Sequence, residues 1–373
     1  MGGWRAKGVD GAAARQRTVP PGGGAGLQVG RRVVLLGGGG AVLGACLDGC
    51  TSGGGTPRSA TSDSGTSGSA TSGSGTPTSA AAGTGSSPSP VSTLPAPTPW
   101  RPGPGEIRPA VKVSAVRLVE AFGTWGNRQG GEGQRAKRAE ALGIGAARAG
   151  ELAGQSGSLT PVADQAVVGV IDAQYGGILA DSASVLVVCR QWTKTGGAVK
   201  EGGTTVDVRL SRTAEGWEVT ELHPARPGGP AARLGAAARA VLTDKRISLP
   251  PASYADVRSG AVHDSVLRAM LRLAGTYELA VSVVRSGHPL DVFGTDRPSD
   301  HPPGRAFDVW RIDGHPVVDP ATSRGLITAF MRAAAAAGSY NVGGPVQLSG
   351  GATANQFFSD DTHHDHVHVG FTG

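Results

Sequence analysis

Ser299-Asp300-His301-Pro302-Pro303-Gly304-Arg305-Ala306-Phe307-Asp308 decides how the last third of this chain is read. His301 and Asp308 are metal-donor side chains seven residues apart, and a second pair, His366 and His368, stands near the C-terminus. A catalytic zinc takes three nitrogen or oxygen ligands from the protein and leaves a fourth position for water. The metal lowers the pKa of that water until it is a usable nucleophile near neutral pH. A His, an Asp and a distant His-x-His pair therefore predict a one-zinc hydrolase.

The flanking residues support this. Val367 and Val369 alternate with His366 and His368, the period of a strand with one buried face. Residues two apart on a strand point to the same side. Both histidines then face one cavity while the valines face the core. Ala306-Phe307-Asp308-Val309-Trp310 also reads as a strand, and the small Ala306 beside Asp308 leaves room for a metal and a substrate. Gly304 permits close backbone approach in the loop that carries His301. Asp313-Gly314 reads as a hairpin turn into a strand at His315–Val318.

The pattern Ser299-x-His301-x-x-Gly304-x-Ala306-x-Asp308 resembles the signature of the zinc D-alanyl-D-alanine dipeptidases and carboxypeptidases. The wider group takes in lysostaphin-type endopeptidases and the hedgehog signalling domain. The resemblance covers roughly residues 250–373, about a third of the chain. It implies an antiparallel sheet with helices, and Zn²⁺ held by His301, Asp308 and His368. It also implies that His366 works beside the metal. The late motif has no Glu, so the chain resembles the His-x-His branch.

Members of the group carry an upstream Arg, in a Gly-Tyr-Arg segment, that steadies the transition state. The nearest segment here is Val284-Arg285-Ser286-Gly287-His288. Arg285 is either the shifted counterpart of that Arg or an ordinary salt-bridge partner. His288, after a Ser-Gly turn, reads as a loop residue or a substrate contact. Asp365 reads as an acceptor that orients a histidine or as a solvated turn carboxylate. Asp360 and Asp361 read as loop charges.

The N-terminus points to the cell envelope. Arg31-Arg32 precedes an apolar run from Val33 to Ala45, too short for a comfortable membrane span. Residues 1–45 thus read as an export signal. Leu43-Gly44-Ala45-Cys46 resembles a bacterial lipobox, with Cys46 as the lipidated residue. The paired arginines also resemble a twin-arginine signal. Residues 51–100 are almost wholly Ser, Thr, Gly, Pro and Ala and cannot bury enough apolar surface to fold. Such a tether has an r.m.s. span on the order of 40 Å. These features place the expected protein at the outer face of the cytoplasmic membrane, held by a lipid anchor.

The formal net charge of +6 misleads, because six cations and one acid in residues 1–45 account for +5 of it. That removes the main support for a nucleic-acid partner, and no aromatic-basic interleaving restores it. Of three cysteines, Cys50 sits in the tether and Cys189 in a strand-like run. A Cys50–Cys189 bridge stays open at this level.

The expected fold class is α+β, in two folded parts. Residues 110–225 open with a helix that places Val113, Val116, Val119 and Phe122 at helical spacing, then a second helix over Gln134–Leu152. Strand-like runs follow at Ala166–Ala173, Ser184–Trp192, Thr204–Leu210 and Trp217–Leu222. Helices followed by an antiparallel meander resemble the cone-shaped nuclear transport factor two-like fold. This part contains no catalytic set and reads as a packing or spacer domain, with a ligand-binding cone as the other option. A helical linker spans 226–243, with its helix over 230–242, and the zinc peptidase-like domain spans 244–373. Its expected elements are a helix near Ser265–Leu273, a strand at Leu279–Arg285, the motif strand and hairpin, a helix at Ser323–Ala337 and the last strand.

Taken together these features predict a membrane-anchored zinc metallopeptidase, with peptidoglycan stem peptides or related D-amino-acid peptides as its substrates. The alternative is a non-catalytic zinc module that binds peptidoglycan or a partner.

Overall fold

The computed structural model describes residues 93–373. The expected export signal, the lipidation site Cys46, Cys50 and most of the tether lie outside the described residues. Among the described residues no helix is long and apolar enough to cross a membrane.

The N-terminal part begins with three helices, α1 (Pro109–Gly123), α2 (Glu132–Glu140) and α3 (Ala146–Gln155). Proline opens α1, where its missing N–H has no intrahelical partner to lose. The buried stripe of α1 holds Val111, Ala115, Val116, Leu118, Val119 and Phe122, together with one charged residue, Lys112. The single helix expected over Gln134–Leu152 is two. Gly143 takes φ 89°, a left-handed turn conformation that only glycine adopts without strain.

Five strands follow: β1 (Gln165–Ile178), β2 (Ser182–Thr195), β3 (Ala198–Gly202), β4 (Thr205–Arg212) and β5 (Trp217–Pro224). They run antiparallel in the order β1-β2-β4-β5, with β3 folded back on β2. Period-2 alternation splits β2 between two cores. Val185, Val187 and Cys189 pack under the helices. Leu186 and Val188 face the other way and pack on Val283, which belongs to the C-terminal part. The two parts therefore share a small apolar contact through the sheet.

The C-terminal part contains α4 (Ala236–Thr243), β6 (Ile247–Ser248), α5 (Pro251–Arg258), α6 (Asp264–Ala274), β7 (Leu279–Val281), β8 (Ala306–Ile312) and β9 (His315–Pro316). It ends with α7 (Arg324–Ala336), β10 (Asn341–Gly343), β11 (Phe357–Phe358) and β12 (Val367–Gly370). The strand order is β11-β10-β12-β8-β7-β6, with β9 paired to β8. The fold class is α+β, as expected. The C-terminal sheet is mixed rather than purely antiparallel, because β10–β11 and β6–β7 pair in parallel. Ala238 and Val241 of α4 lie in the C-terminal core, so the expected linker ends in an element of that part.

Two features position the site. β8 and β12 are antiparallel neighbours, and their register sets His368 directly opposite Asp308. Gly304 takes φ 79°, and a Cβ there would sit 2.1 Å from the Ala261 carbonyl oxygen. The loop that carries His301 can close against α5–α6 only with glycine at that position.

Candidate metal centre

His301 leaves its loop with Nδ1 2.9 Å from the Val284 carbonyl oxygen. That carbonyl needs a donor, so the proton sits on Nδ1 and the Nε2 lone pair is free. Nε2 lies 3.2 Å from Asp308 Oδ1 and 3.1 Å from His368 Nδ1. His368 Nδ1 is 3.0 Å from the same Asp308 oxygen. Three donor atoms from two strands and a loop thus form a near-equilateral triangle. His301, Asp308 and His368 are at most 8% exposed. A tetrahedral ion with bonds near 2.0–2.1 Å would space its ligands about 3.3 Å apart, so the triangle fits such an ion closely.

The electrostatics fit a cation. Burial alone would push the Asp308 carboxyl up, but His301 and His366 outweigh it and hold the group well below the usual carboxylate range. Burial pushes His368 down to about 4, so its ring is neutral and its nitrogen can ligate.

His366 precedes β12 and is buried. Its Nδ1 donates to Asp365 Oδ1 at 2.6 Å, which turns Nε2 toward the triangle, 3.8 Å from Asp308 Oδ2. Burial would lower its pKa, yet Asp308 and Asp365 more than offset this and raise it to about 9. Asp365 is thus an orienting acceptor rather than a solvated turn carboxylate. It acts on His366 and not on one of the three donors of the triangle.

The triangle opens into a cavity of about 640 Å³. One wall comes from the end of β1, at Gly176, Gly177 and Ile178, and another from Phe293, Asn341 and Phe358.

No protein-family model matches this chain, and no curated protein matches it. Among solved structures it is similar to an NTF2-like protein with a cystatin-like fold from Novosphingobium aromaticivorans, at 18% identity and a TM-score of 0.17. The match covers 26% of this chain and 56% of that one. A likeness this weak carries nothing about the site.

The structure brings together His301, Asp308, His366 and His368. Arg285 does not join them. Its Nε donates to the Pro302 carbonyl at 3.1 Å and its Nη1 lies 3.8 Å from Asp256 Oδ1. It lines a separate cavity, so of its two sequence readings the ion-pair partner stands. Arg297 is the arginine on the wall of the metal-site cavity. His288 stacks on His301 with ring centres 4.0 Å apart and planes at 15°. His288, His301 and Asp308 form a group that could hold a metal ion. Parallel rings present their nitrogens side by side, however, so His368, with its shorter contacts, completes the triangle better and His288 forms wall.

Three residues of the site were not expected, and His363 joins it from the C-terminal histidine cluster. His363 packs edge-on against Phe358 and lies 5.2 Å from the His366 ring and 5.7 Å from the His368 ring. Asp360 accepts from its Nδ1 at 2.7 Å, which gives that loop carboxylate a role. The three unexpected residues, Glu106, Lys112 and Gln174, come from the N-terminal part. Gln174 Nε2 donates to Asp308 Oδ2 at 2.7 Å. Lys112 Nζ lies 2.6 Å from Asp365 Oδ2 and also pairs with Glu106. Burial would lower the Lys112 pKa, but Asp365, Glu106 and Asp172 outweigh it and raise it. The sequence signal for Gln174 is slight: Asp172 and Gln174 are polar at alternate positions of one strand, which ordinarily marks a solvent face.

Proposed function

We propose that this chain is a zinc-dependent peptidase of the bacterial cell envelope, acting on peptidoglycan stem peptides or related D-amino-acid peptides. The observation that carries the reading is the triangle of His301 Nε2, Asp308 Oδ1 and His368 Nδ1, with edges of 3.0–3.2 Å, beside an oriented fourth side chain that is not part of it. The donor set, two imidazoles and one carboxylate, suits zinc, which His301, Asp308 and His368 would hold. A zinc ion there would polarise the scissile carbonyl and lower the pKa of a water molecule.

The remaining chemistry belongs to the chain. His366 Nε2 is the nitrogen free to take and return a proton beside the reacting carbonyl. Asp365 fixes its tautomer through Nδ1. Asp308 is one of three carboxylates, with Asp365 and Asp172, that raise the His366 pKa. A cation held by Asp308 would weaken that influence, and the imidazole of His366 would then lie nearer the range where it exchanges protons. His363 offers a second imidazole at the cavity wall. A cavity of about 640 Å³ admits a short peptide. The substrate class rests on the motif from Ser299 to Asp308 and on the lipobox-like Leu43–Cys46, which suit a lipid-anchored enzyme reaching into the wall above its membrane.

The test is metal analysis of the purified chain paired with digestion of defined muropeptides before and after chelation. Cleavage that chelator abolishes and zinc restores supports the proposal. Zinc uptake with no cleavage of any muropeptide replaces it with the non-catalytic zinc module.

A further inference from the structure

Gln174 is fully buried, lies on β1, and stands 134 residues upstream of the carboxylate it touches. Both ends of its amide are held. Nε2 donates to Asp308 Oδ2 at 2.7 Å, and Oε1 accepts from the Ser282 hydroxyl. The reverse orientation would set the amide oxygen against a carboxylate oxygen, so the contact itself fixes which way the amide points. Ser282 is in turn tied to the Asp308 backbone, with its N–H 3.0 Å from the Asp308 carbonyl.

The effect on Asp308 is specific. Oδ2 is taken by the amide, and Oδ1 is left facing His301 and His368. A carboxylate held this way cannot rotate to offer both oxygens to a cation. Its position is set by β1 as much as by β8.

A second contact ties the same two parts together. Lys112 of α1 is fully buried and reaches Asp365 Oδ2 at 2.6 Å, and the backbone N–H of Tyr175 donates to that oxygen at 3.0 Å. Asp365 is the residue that holds His366. A spacer domain has no need of a buried lysine and a buried glutamine whose partners are carboxylates of its neighbour.

We infer that the N-terminal part is a working half of the metal centre, and that Gln174 is a positioning residue for the Asp308 ligand. The inference rests on the zinc reading above and adds to it a residue and a domain role. Partners that orient ligand side chains typically contribute 10–100-fold to metal affinity.

The experiment compares the full chain with Gln174→Met and Gln174→Glu. The first keeps the volume and removes the amide. The second keeps an acceptor for Ser282 and sets a carboxylate against Asp308. Zinc affinity is read by chelator competition, cobalt geometry by the visible d–d spectrum, and folding by circular dichroism and thermal unfolding with and without metal. The expected result is a wild-type circular dichroism spectrum for Gln174→Met, a zinc affinity lower by roughly 10–100-fold, an altered cobalt spectrum and a smaller metal-induced rise in Tm. Gln174→Glu should also alter the cobalt spectrum, with a zinc affinity that departs from wild type and changes with pH as the added carboxyl ionises against Asp308. Wild-type affinity and cobalt spectrum in both variants would overturn the inference and leave the zinc reading intact. A wild-type chain that takes up no metal would overturn both. If Gln174→Met does not fold, the affinity and cobalt spectrum of Gln174→Glu decide alone.

Discussion

Glu106, His364 and Asp365 converge, as do His288, His301 and Asp308, and either set could by its donor atoms hold a metal ion. They are built for opposite ends. In the first, the Lys112 ammonium already sits between Glu106 and Asp365, so the cation is supplied by the protein. In the second, where His368 is the closer histidine, two imidazole nitrogens and a carboxylate oxygen face one another with no ammonium or guanidinium among them. Three lone-pair donors held 3.0–3.2 Å apart in a buried place repel unless a proton or a cation lies between them. Ligand-type residues do not by themselves make a metal site. What matters is whether the chain has neutralised them.

The largest effects should come from breaking the open cluster. His368→Ala should lose both zinc and peptide hydrolysis, and its zinc affinity should drop by more than the roughly 100-fold expected for an outer partner. His366→Ala should keep zinc while hydrolysis falls on the order of 10²–10⁴-fold, the usual range for a lost general acid or base. Zinc content and muropeptide cleavage, measured on the same two preparations, check the pair. Zinc loss in His366→Ala with retention in His368→Ala would mean that ligand and proton carrier are exchanged.

Breaking the closed cluster should damage the fold more than the metal. Lys112→Met leaves Glu106 and Asp365 buried without their cation, and removing one partner of a buried ion pair typically costs about 3–5 kcal/mol. Denaturant unfolding of the metal-free chain measures it. Wild-type stability in Lys112→Met would remove the distinction between the two clusters.

The two clusters also differ in how far the sequence discloses them. The residues of the open cluster were legible because their spacing is local, seven residues on one loop and strand and an i, i+2 pair at another, while the choice of His368 over His366 as ligand came from the family resemblance. Strand period placed His366 and His368 on one side, and the β8–β12 register did the rest. The closed cluster and Gln174 were not legible. Lys112 reaches Asp365 across 253 residues and Gln174 reaches Asp308 across 134. No spacing rule connects such residues. A lysine on a helix and a glutamine on a strand read as solvated until another domain covers them. Arg285 stayed between two readings for the related reason that its partner Asp256, on α5, is also distant in sequence. The break between α2 and α3 was missed although Gly143 marks it, because the polar helix pattern continues on both sides.

A smaller effect is expected from pH. His366 has a folded pKa near 9 in the metal-free chain, above the ordinary histidine value of about 6.5. A raised folded pKa adds stability that is fully present below the unfolded value and is lost as pH rises through the folded one. Unfolding of the metal-free chain should therefore show stability falling between about pH 6.5 and 9, with that slope absent in His366→Ala. An equal slope in both would detach it from His366.

The smallest effect is expected from Arg285→Ala. Its guanidinium serves the Pro302 carbonyl and Asp256, so zinc affinity and hydrolysis should stay at the wild-type level. Loss of hydrolysis with zinc retained would restore its transition-state role.

Zinc content locates the metal site directly when read on three forms of the full chain, prepared without chelator and offered zinc. Wild type should hold about one zinc per chain, the stoichiometry of a single three-ligand site. Asp308→Ala should hold none. Glu106→Gln, altered only in the cluster that Lys112 fills, should still hold one. A metal-free wild type, or zinc that follows Glu106 rather than Asp308, would contradict the account.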